Sequence, residues 1–328
     1  MVRHVVLATL ALAGRAQAGE LPLLREHLHA RDAGWQVAWP TADGIATTTT
    51  FAHRRTEQGQ EVEAWGYTLE GTAAVRTEGD GLLVTTGPFT APATWRRQAG
   101  EEAADSPGIA LLARALPGPA WTARLDADGS WHPMLPDPLA PDAHPLRDRL
   151  TALARLELGD LGGATTFARV TEAMRHVGPA HTFDDPWGQD LAAWTGVALE
   201  VGREVELRVP AGATTHRLRV RRLDDAPCAE APAPVCAHLE VVRTGRPLRV
   251  EAGVVHPTLG SDFPHRDALR ARGVRDRTVT VDLWVEPATL RPWRREEAVL
   301  DDQRLLVGRR TVPSQEETRI ATQWIWPR

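Results

Sequence analysis

The chain has 328 residues, of which 42% are hydrophobic and 25% charged, with a formal net charge of −5. No basic surplus exists to neutralise phosphates, so no nucleic-acid partner is expected. All 38 positive side chains are arginine, and the absence of lysine excludes a Schiff base to pyridoxal phosphate, a phosphate-loop lysine, a kinase lysine and a Ser/Lys dyad. A GC-rich codon bias accounts for the joint lack of lysine and asparagine. Serine occurs only at Ser106, Ser130, Ser261 and Ser314, none in the G-x-S-x-G turn of a serine hydrolase.

Residues 1–18 read as an export signal. Arg3 and His4 precede an apolar run from Val5 to Ala13, and Ala16-Gln17-Ala18 offers small residues at both positions a signal peptidase inspects. Cleavage after Ala18 is expected, with a periplasmic or secreted product. The run is shorter than the ~20 residues a membrane-spanning helix needs, so no integral span is expected, and no cysteine follows it to take a lipid.

Residues 34–97 alternate strand patterns with turn signals. Gly34 to Trp39, Gly44 to His53, Glu61 to Glu70 and Gly81 to Thr86 are rich in Thr, Val, Trp and Ile, punctuated by Asp43-Gly44, Gln58-Gly59 and Asp80-Gly81. The polar run Thr47 to Phe51 suits a water-facing or edge strand. A short helix is expected over Ile109 to Ala115, and Trp121 to Leu125 pairs with Ser130 to Met134 across Asp126-Ala127-Asp128-Gly129.

Next, Leu146, Leu150, Leu153 and Leu156 recur at helical spacing, with Pro145 in the first turn and Gly159 after the last. Phe167, Val170, Met174 and Val177 form the stripe of a second helix stopped by Gly178-Pro179. Both stripes are read as packing faces rather than cofactor boxes.

From Leu191 onward the period returns to two. Val205, Leu207 and Val209 alternate with glutamates and Arg208; Leu218 and Val220 alternate with Arg217, Arg219 and Arg221; Val279, Val281, Leu283 and Val285 alternate with Thr280, Asp282 and Trp284. Each strand therefore has one buried and one wetter face, on which charges pair across strands. Thr318 to Trp326 is a last strand. Cys228 and Cys236 flank a proline-rich link, and in an exported chain they are expected to form a disulfide on a hairpin.

The expected fold is mainly β (α+β): curved antiparallel sheet in two halves with a central amphipathic helical segment. The organisation is a signal peptide over 1–18, a β meander over 19–134, a helical connecting segment packed on the sheets over 135–190, and a C-terminal β half over 191–328. This layout, with the D-x-D-G hairpin, the Gly-Arg-Glu-Val-Glu-Leu strand and the turn Glu286-Pro287-Ala288-Thr289 within Asp282 to Arg294, resembles uncharacterised exported bacterial β-rich proteins. It is also similar in layout to periplasmic lipoprotein carriers. The resemblance carries no functional motif and transfers no binding residue.

No catalytic signature stands out, and neither a metal nor a cofactor is expected. His27-Leu28-His29, followed by Asp32, could be taken for a metal cluster, but no third ligand is identifiable and the segment reads as a solvated N-terminal arm. Asp126-Ala127-Asp128-Gly129 resembles the start of a calcium loop, but its twelfth position is Asp137 rather than glutamate, and a hairpin turn explains it. Asp184-Asp185 and Asp301-Asp302 are the carboxylate pairs on which an alternative reading, a hydrolase acting on an envelope or extracellular substrate, would rest. Twelve Trp stand against one Tyr and five Phe. Trp284, Trp293, Trp324 and Trp326 are the candidate ligand-binding residues, since indole faces line apolar cavities while the N–H anchors a polar group. The expected function is that of an exported non-catalytic binding or envelope-associated protein, with an apolar or lipid-like molecule as the ligand expected between sheet and helices.

Overall fold

The computed structural model describes residues 35–89, 96–97, 121–127, 131–134, 145–158, 194–196, 199–211, 214–228, 234–245, 248–252, 271–287, 289–307 and 310–327, together with Leu111, Arg114, Ala115, Gly129 and Val170. Nearly all of it is antiparallel strand. The elements are β1 (Ala42–Glu57), β2 (Gln60–Glu78), β3 (Gly81–Phe89), β4 (Arg96–Arg97), β5 (Trp121–Leu125), β6 (Trp131–Met134), α1 (Pro145–Leu158), β7 (Glu204–Ala211), β8 (Thr214–Arg222), β9 (Ala226–Pro227), β10 (Val235–Thr244), β11 (Leu248–Ala252), β12 (Ala271–Val285), β13 (Pro292–Val307) and β14 (Arg310–Ile325).

The strands join in the order β6-β5-β3-β2-β1-β14-β13-β12-β10-β8-β7, with β4, β9 and β11 attached beside the path. The chain starts in the middle, meanders out to β6, passes through α1 to the far end at β7, and meanders back. The first and last long strands then meet: β1 pairs with β14 from Ala46↔Ile325 to Glu57↔Ser314. What reads in sequence as two β halves is thus one hydrogen-bonded sheet. It is not closed, because β6 and β7 are its two ends.

Local chemistry sets the turns. Gln58 and Gly59 both have positive φ, 52° and 81°, in the two-residue hairpin that closes on Glu57↔Gln60, the backbone twist that suits a right-twisted strand pair. Asp43-Gly44, by contrast, is no turn. It lies inside β1, where Gly44 takes φ 71° and the register with β2 shifts between Ala42 and Ile45, which makes it a bulge. Residues 35–40, expected as a strand, carry no ladder and instead cross to the β12–β13 turn, where Ala38 N donates to Thr289 O.

Inward residues on the long strands keep strict period two. Ile45, Thr47, Thr49 and Phe51 are buried on β1, as are Val281, Leu283 and Val285 on β12 and Leu239 and Val241 on β10. Trp35, Trp39, Trp194, Trp324 and Trp326 join Ile45 and the β10 and β12 residues in one core cluster that runs from Leu125 on β5 to Leu218 on β8. The threonine run Thr47 to Phe51, expected in a water-facing or edge strand, lies in a strand at the middle of the sheet, with Thr47 and Thr49 buried and Thr50 exposed. Hydroxyls are tolerated there because several pair across strands: Thr49 meets Thr322 at 3.2 Å and Thr50 meets Thr68 at 3.5 Å.

The outward faces carry the expected ion pairs, including Arg217–Glu206 at 2.7 Å and Arg221–Glu240 at 2.9 Å. Helix α1 forms where the leucine spacing places it, but with a different buried face. Leu150 and Ala154 are fully buried, whereas Leu156 is 81% exposed. The i, i+4 pair turns inward and Leu156, six residues on from Leu150, points away. The second expected helix lies outside the described residues except for Val170, which is helical and buried. No helix among the described residues is long and apolar enough to cross a membrane.

Cys228 and Cys236 are joined, their Cα atoms 4.9 Å apart, beside the short β9–β10 pairing of Ala226 with Cys236 and Pro227 with Val235. Titration of the denatured, unreduced protein is expected to find no free thiol. Replacing both cysteines with alanine is expected to lower stability by about 2–3 kcal/mol in a denaturant melt, because the small loop gains freedom mainly in the unfolded chain.

Candidate functional site

The face of the sheet that turns inward at β1, β14 and β13 is the candidate site. Its first part is a corner built on the β12–β13 turn. Glu286 O accepts from Thr289 N at 3.2 Å and from Leu290 N at 2.9 Å, while Glu286 N donates to Arg291 O at 2.9 Å. Thr289 Oγ1 donates to Glu286 Oε2 at 2.9 Å. Leu290 is forced to φ 52° and is fully buried, a conformation that costs energy for a side chain and persists here because the packing around it fixes it. Trp39 Nε1 donates to the Leu290 carbonyl at 3.1 Å, so the 35–40 segment is pinned to this corner.

Arg291 stacks on two of the candidate tryptophans at once. Its guanidinium lies 5.4 Å from the Trp293 ring centroid and 5.3 Å from that of Trp326, with an ion pair to Glu286 at 3.0 Å. Trp326 Nε1 donates to Pro292 O at 2.7 Å, and its ring meets Trp39 edge-on at 6.1 Å. Trp293 is the extra residue where the β12–β13 register slips from Trp284↔Arg294 to Val285↔Pro292; such a bulge re-aims a side chain, and Trp293 packs against the core cluster.

Trp324, Trp326 and Trp293 thus belong to one neighbourhood. Trp284 does not. It follows buried Leu283 and precedes buried Val285, so it stands on the opposite face of β12. There it is flanked by its cross-strand neighbours: the His238 ring stacks at 4.3 Å and the Arg294 guanidinium lies 4.6 Å from its centroid. His238 also holds Asp282 at 2.8 Å.

Beyond the corner the inward face becomes polar. Thr47 pairs in register with Trp324, Thr49 with Thr322, and Thr322 with Arg295. Arg295 is 4% exposed and donates to Glu297 Oε2 at 2.7 Å. Further along, His53 Nδ1 lies 3.2 Å from Thr318 Oγ1, and Asp301 is held by Arg275 through bonds of 2.9 and 2.5 Å. Asp301 raises the Arg275 guanidinium pKa above its ordinary value, chiefly through this hydrogen bonding, against an opposing cost of burial.

Among the described residues, the buried side-chain atoms of this region without a hydrogen-bond partner include Thr47 Oγ1, Trp293 Nε1 and Trp194 Nε1. Buried indole N–H groups almost always find an acceptor, so such exceptions call for one. Trp35 and Trp194, 5.9 Å apart, and the Arg222 guanidinium, 5.3 Å from the Trp35 centroid, extend the same aromatic lining toward β8. Sequence reasoning missed Trp35, Trp39 and Trp194 as part of this lining, along with Arg291 and Arg295. The signal available was the threonine run itself, whose hydroxyls make little sense at the sheet centre unless the face is partly polar.

The carboxylate pairs fare differently. Asp301 and Asp302 sit within β13 on opposite faces: Asp301 inward on Arg275, and Asp302 outward, accepting from Gln315 Nε2 at 2.9 Å. They cannot act together on one bond. Asp126 holds a hairpin turn, with its carbonyl accepting from Gly129 N at 2.9 Å and its carboxylate bound to Arg124 at 2.6 Å. That hydrogen bond is the main cause of the raised Arg124 pKa. No group of three metal-ligating side chains occurs among the described residues. Asp184, Asp185, His27, His29, Asp32 and Asp137 lie outside them.

No protein-family model matches the chain, and no curated protein does. Among solved structures it is similar to one described by lipid–protein interactions in lipovitellin, at 8% sequence identity and a TM-score of 0.38. That likeness covers 88% of this chain but only 25% of the other, so the chain spans about a quarter of its length.

Proposed function

We propose that this protein is an exported, non-catalytic carrier or binding module that holds an apolar, lipid-like molecule against the inward face of its sheet. The observation that carries this reading is the tryptophan-lined core in which Trp194 Nε1 and Trp293 Nε1 are buried without acceptors. Apolar and aromatic surroundings with a few polar groups are the usual form of a small-molecule site. The inward carboxylates support binding over hydrolysis, because Glu286, Glu297 and Asp301 are each held by an arginine at 2.5–3.0 Å and serve as structural partners rather than as an acid and base facing one another.

Export rests on the Ala16-Gln17-Ala18 cleavage signal, and material recovered from the periplasm or medium is expected to begin at Gly19. For binding, titration of the mature protein with a long-chain acyl ligand is expected to shift the intrinsic tryptophan emission saturably. Trp293→Phe should weaken that response while Trp284→Phe, on the far face, leaves the affinity unchanged. An emission spectrum that does not respond, in protein free of bound lipid, would count against the reading.

A further inference from the structure

We propose that the free edge of β7 docks a second copy of this chain: two β7 strands pair antiparallel about Leu207 and join two sheets into one. The inference is independent of the lipid reading and rests on the open end of the sheet.

The first observation is backbone valence. β7 ends the sheet and, among the described residues, pairs with β8 alone and without a register shift. Arg222 N donates to Arg203 O at 3.3 Å, and the register continues through Glu204↔Arg221 and Val205↔Val220. Antiparallel ladders alternate, so Val205, Leu207 and Val209 turn their backbone groups toward β8. Glu204, Glu206 and Arg208 turn theirs away from it, and all three residues are exposed. The opposite end of the sheet is blunted, because β6 has four residues, Pro133 among them, against eight in β7. A long, regular edge ladder is a template for another strand.

The second is charge. Across β8, Arg208 faces Arg217, a like charge, and among the described residues it makes no hydrogen bond or ion pair. Arg217 turns to Glu206 instead, and both its contacts, at 2.9 and 2.7 Å, fall on Oε1. Oε2 is left for another arginine. A second β7 laid antiparallel about Leu207 sets its Glu206 opposite Arg208 and its Arg208 opposite Glu206. Each such pair exchanges two N–H···O bonds, and Glu204 N–H meets the Pro210 carbonyl, so the missing proline N–H falls only at the ends of the ladder. Moving the axis to Glu206 or Arg208 puts like charges directly opposite, which is destabilising. The edge is self-complementary in one register, as a two-fold interface requires.

The third is the core. The apolar cluster reaches β7 at Val205, which packs against it yet stays half-buried. In the proposed register Val205 lies opposite Val209 of the second copy on the same inward face, so the added strand extends the cover over it.

Sedimentation velocity over a concentration series tests this. Wild type is expected to show a reversible monomer–dimer equilibrium at about 1–100 μM, the range of a small interface. Arg208→Pro removes an N–H that points away from β8, which an edge strand tolerates; it should keep the circular dichroism and melting temperature of wild type and remain monomeric. Arg208→Glu and Glu206→Arg should each weaken the dimer about ten-fold or more, since both symmetric charge pairs become like pairs. An equimolar mixture of those two variants restores opposite charges at every Glu206/Arg208 contact and should recover the wild-type affinity. Wild type that stays monomeric across the range, a folded Arg208→Pro that dimerises as wild type does, or a mixture of well-folded single variants no tighter than either alone would overturn the proposal. None of these outcomes bears on lipid binding.

Discussion

Trp326→Ala is expected to lower the unfolding free energy by about 3–5 kcal/mol, the range for removing a large aromatic from a core. The substitution empties a site 6% exposed in the core cluster and deletes three specific contacts. These are the hydrogen bond from Nε1 to the Pro292 carbonyl at 2.7 Å, the edge-on packing with Trp39 at 6.1 Å, and one of the two rings that hold Arg291. With that ring gone, Arg291 keeps Glu286 and Trp293, so the turn should survive while its anchorage to the end of β14 weakens. A urea melt read by circular dichroism measures the effect. Trp284→Ala is the matched control, because that side chain lies half-buried on the outer face; its loss should be smaller, about 1–2 kcal/mol, from the cation–π and stacking contacts it gives up. Equal losses for the two would show that the inner corner is not the structural keystone argued here.

Asp301→Ala should cost about 3 kcal/mol. Asp301 is 6% exposed and receives two bonds from Arg275; its removal strands a guanidinium that is itself largely covered, which is more damaging than the pair is stabilising. The double variant Asp301→Leu with Arg275→Met is accordingly expected to recover most of the loss, as apolar replacements of buried ion pairs often do. Because Arg275 is held above its ordinary pKa by Asp301, its contribution is fully present at neutral pH. On the arginine side it fades when strongly alkaline solution removes the guanidinium proton. Stability of the wild type should therefore show no Arg275-linked change between pH 6 and pH 9, values chosen as roughly the working range of proteins, and a double-mutant cycle across that range should return a constant coupling energy.

How much of this was legible beforehand depended on whether a signal was local. Period-two alternation in β7, β8 and β12, the Gln58-Gly59 hairpin, the helix from Pro145 and the Cys228–Cys236 link all follow from residues near one another in sequence. The pairing of β1 with β14 does not: Phe51 meets Ile320 across the whole chain, and only that long-range register turns a polar threonine run from an apparent edge into the middle of the sheet. The bulge at Gly44 was misread for a related reason, since Asp-Gly marks both a turn and a bulge and only the continuing ladder decides. At the site, the weight of tryptophan near the C-terminus was visible in composition. What was not visible was the bulge that separates Trp293 from Trp284 and sends the two indoles to different surroundings, or the arrival of Trp39 and Trp194 from distant segments. Leu156 fell on the wrong side because helical spacing defines a stripe but not its width, and the buried pair at i, i+4 took the centre of it.

The central claim is that the protein binds an apolar, lipid-like molecule on the tryptophan-rich side of its sheet, and native mass spectrometry of the protein purified from its exported form, followed by solvent extraction and lipid analysis of the same sample, tests it most directly. The account predicts a bound lipid that leaves on extraction and is depleted in Trp293→Phe. A protein that carries only its own mass under conditions that preserve non-covalent ligands, and that takes up no lipid when offered it, would contradict the account.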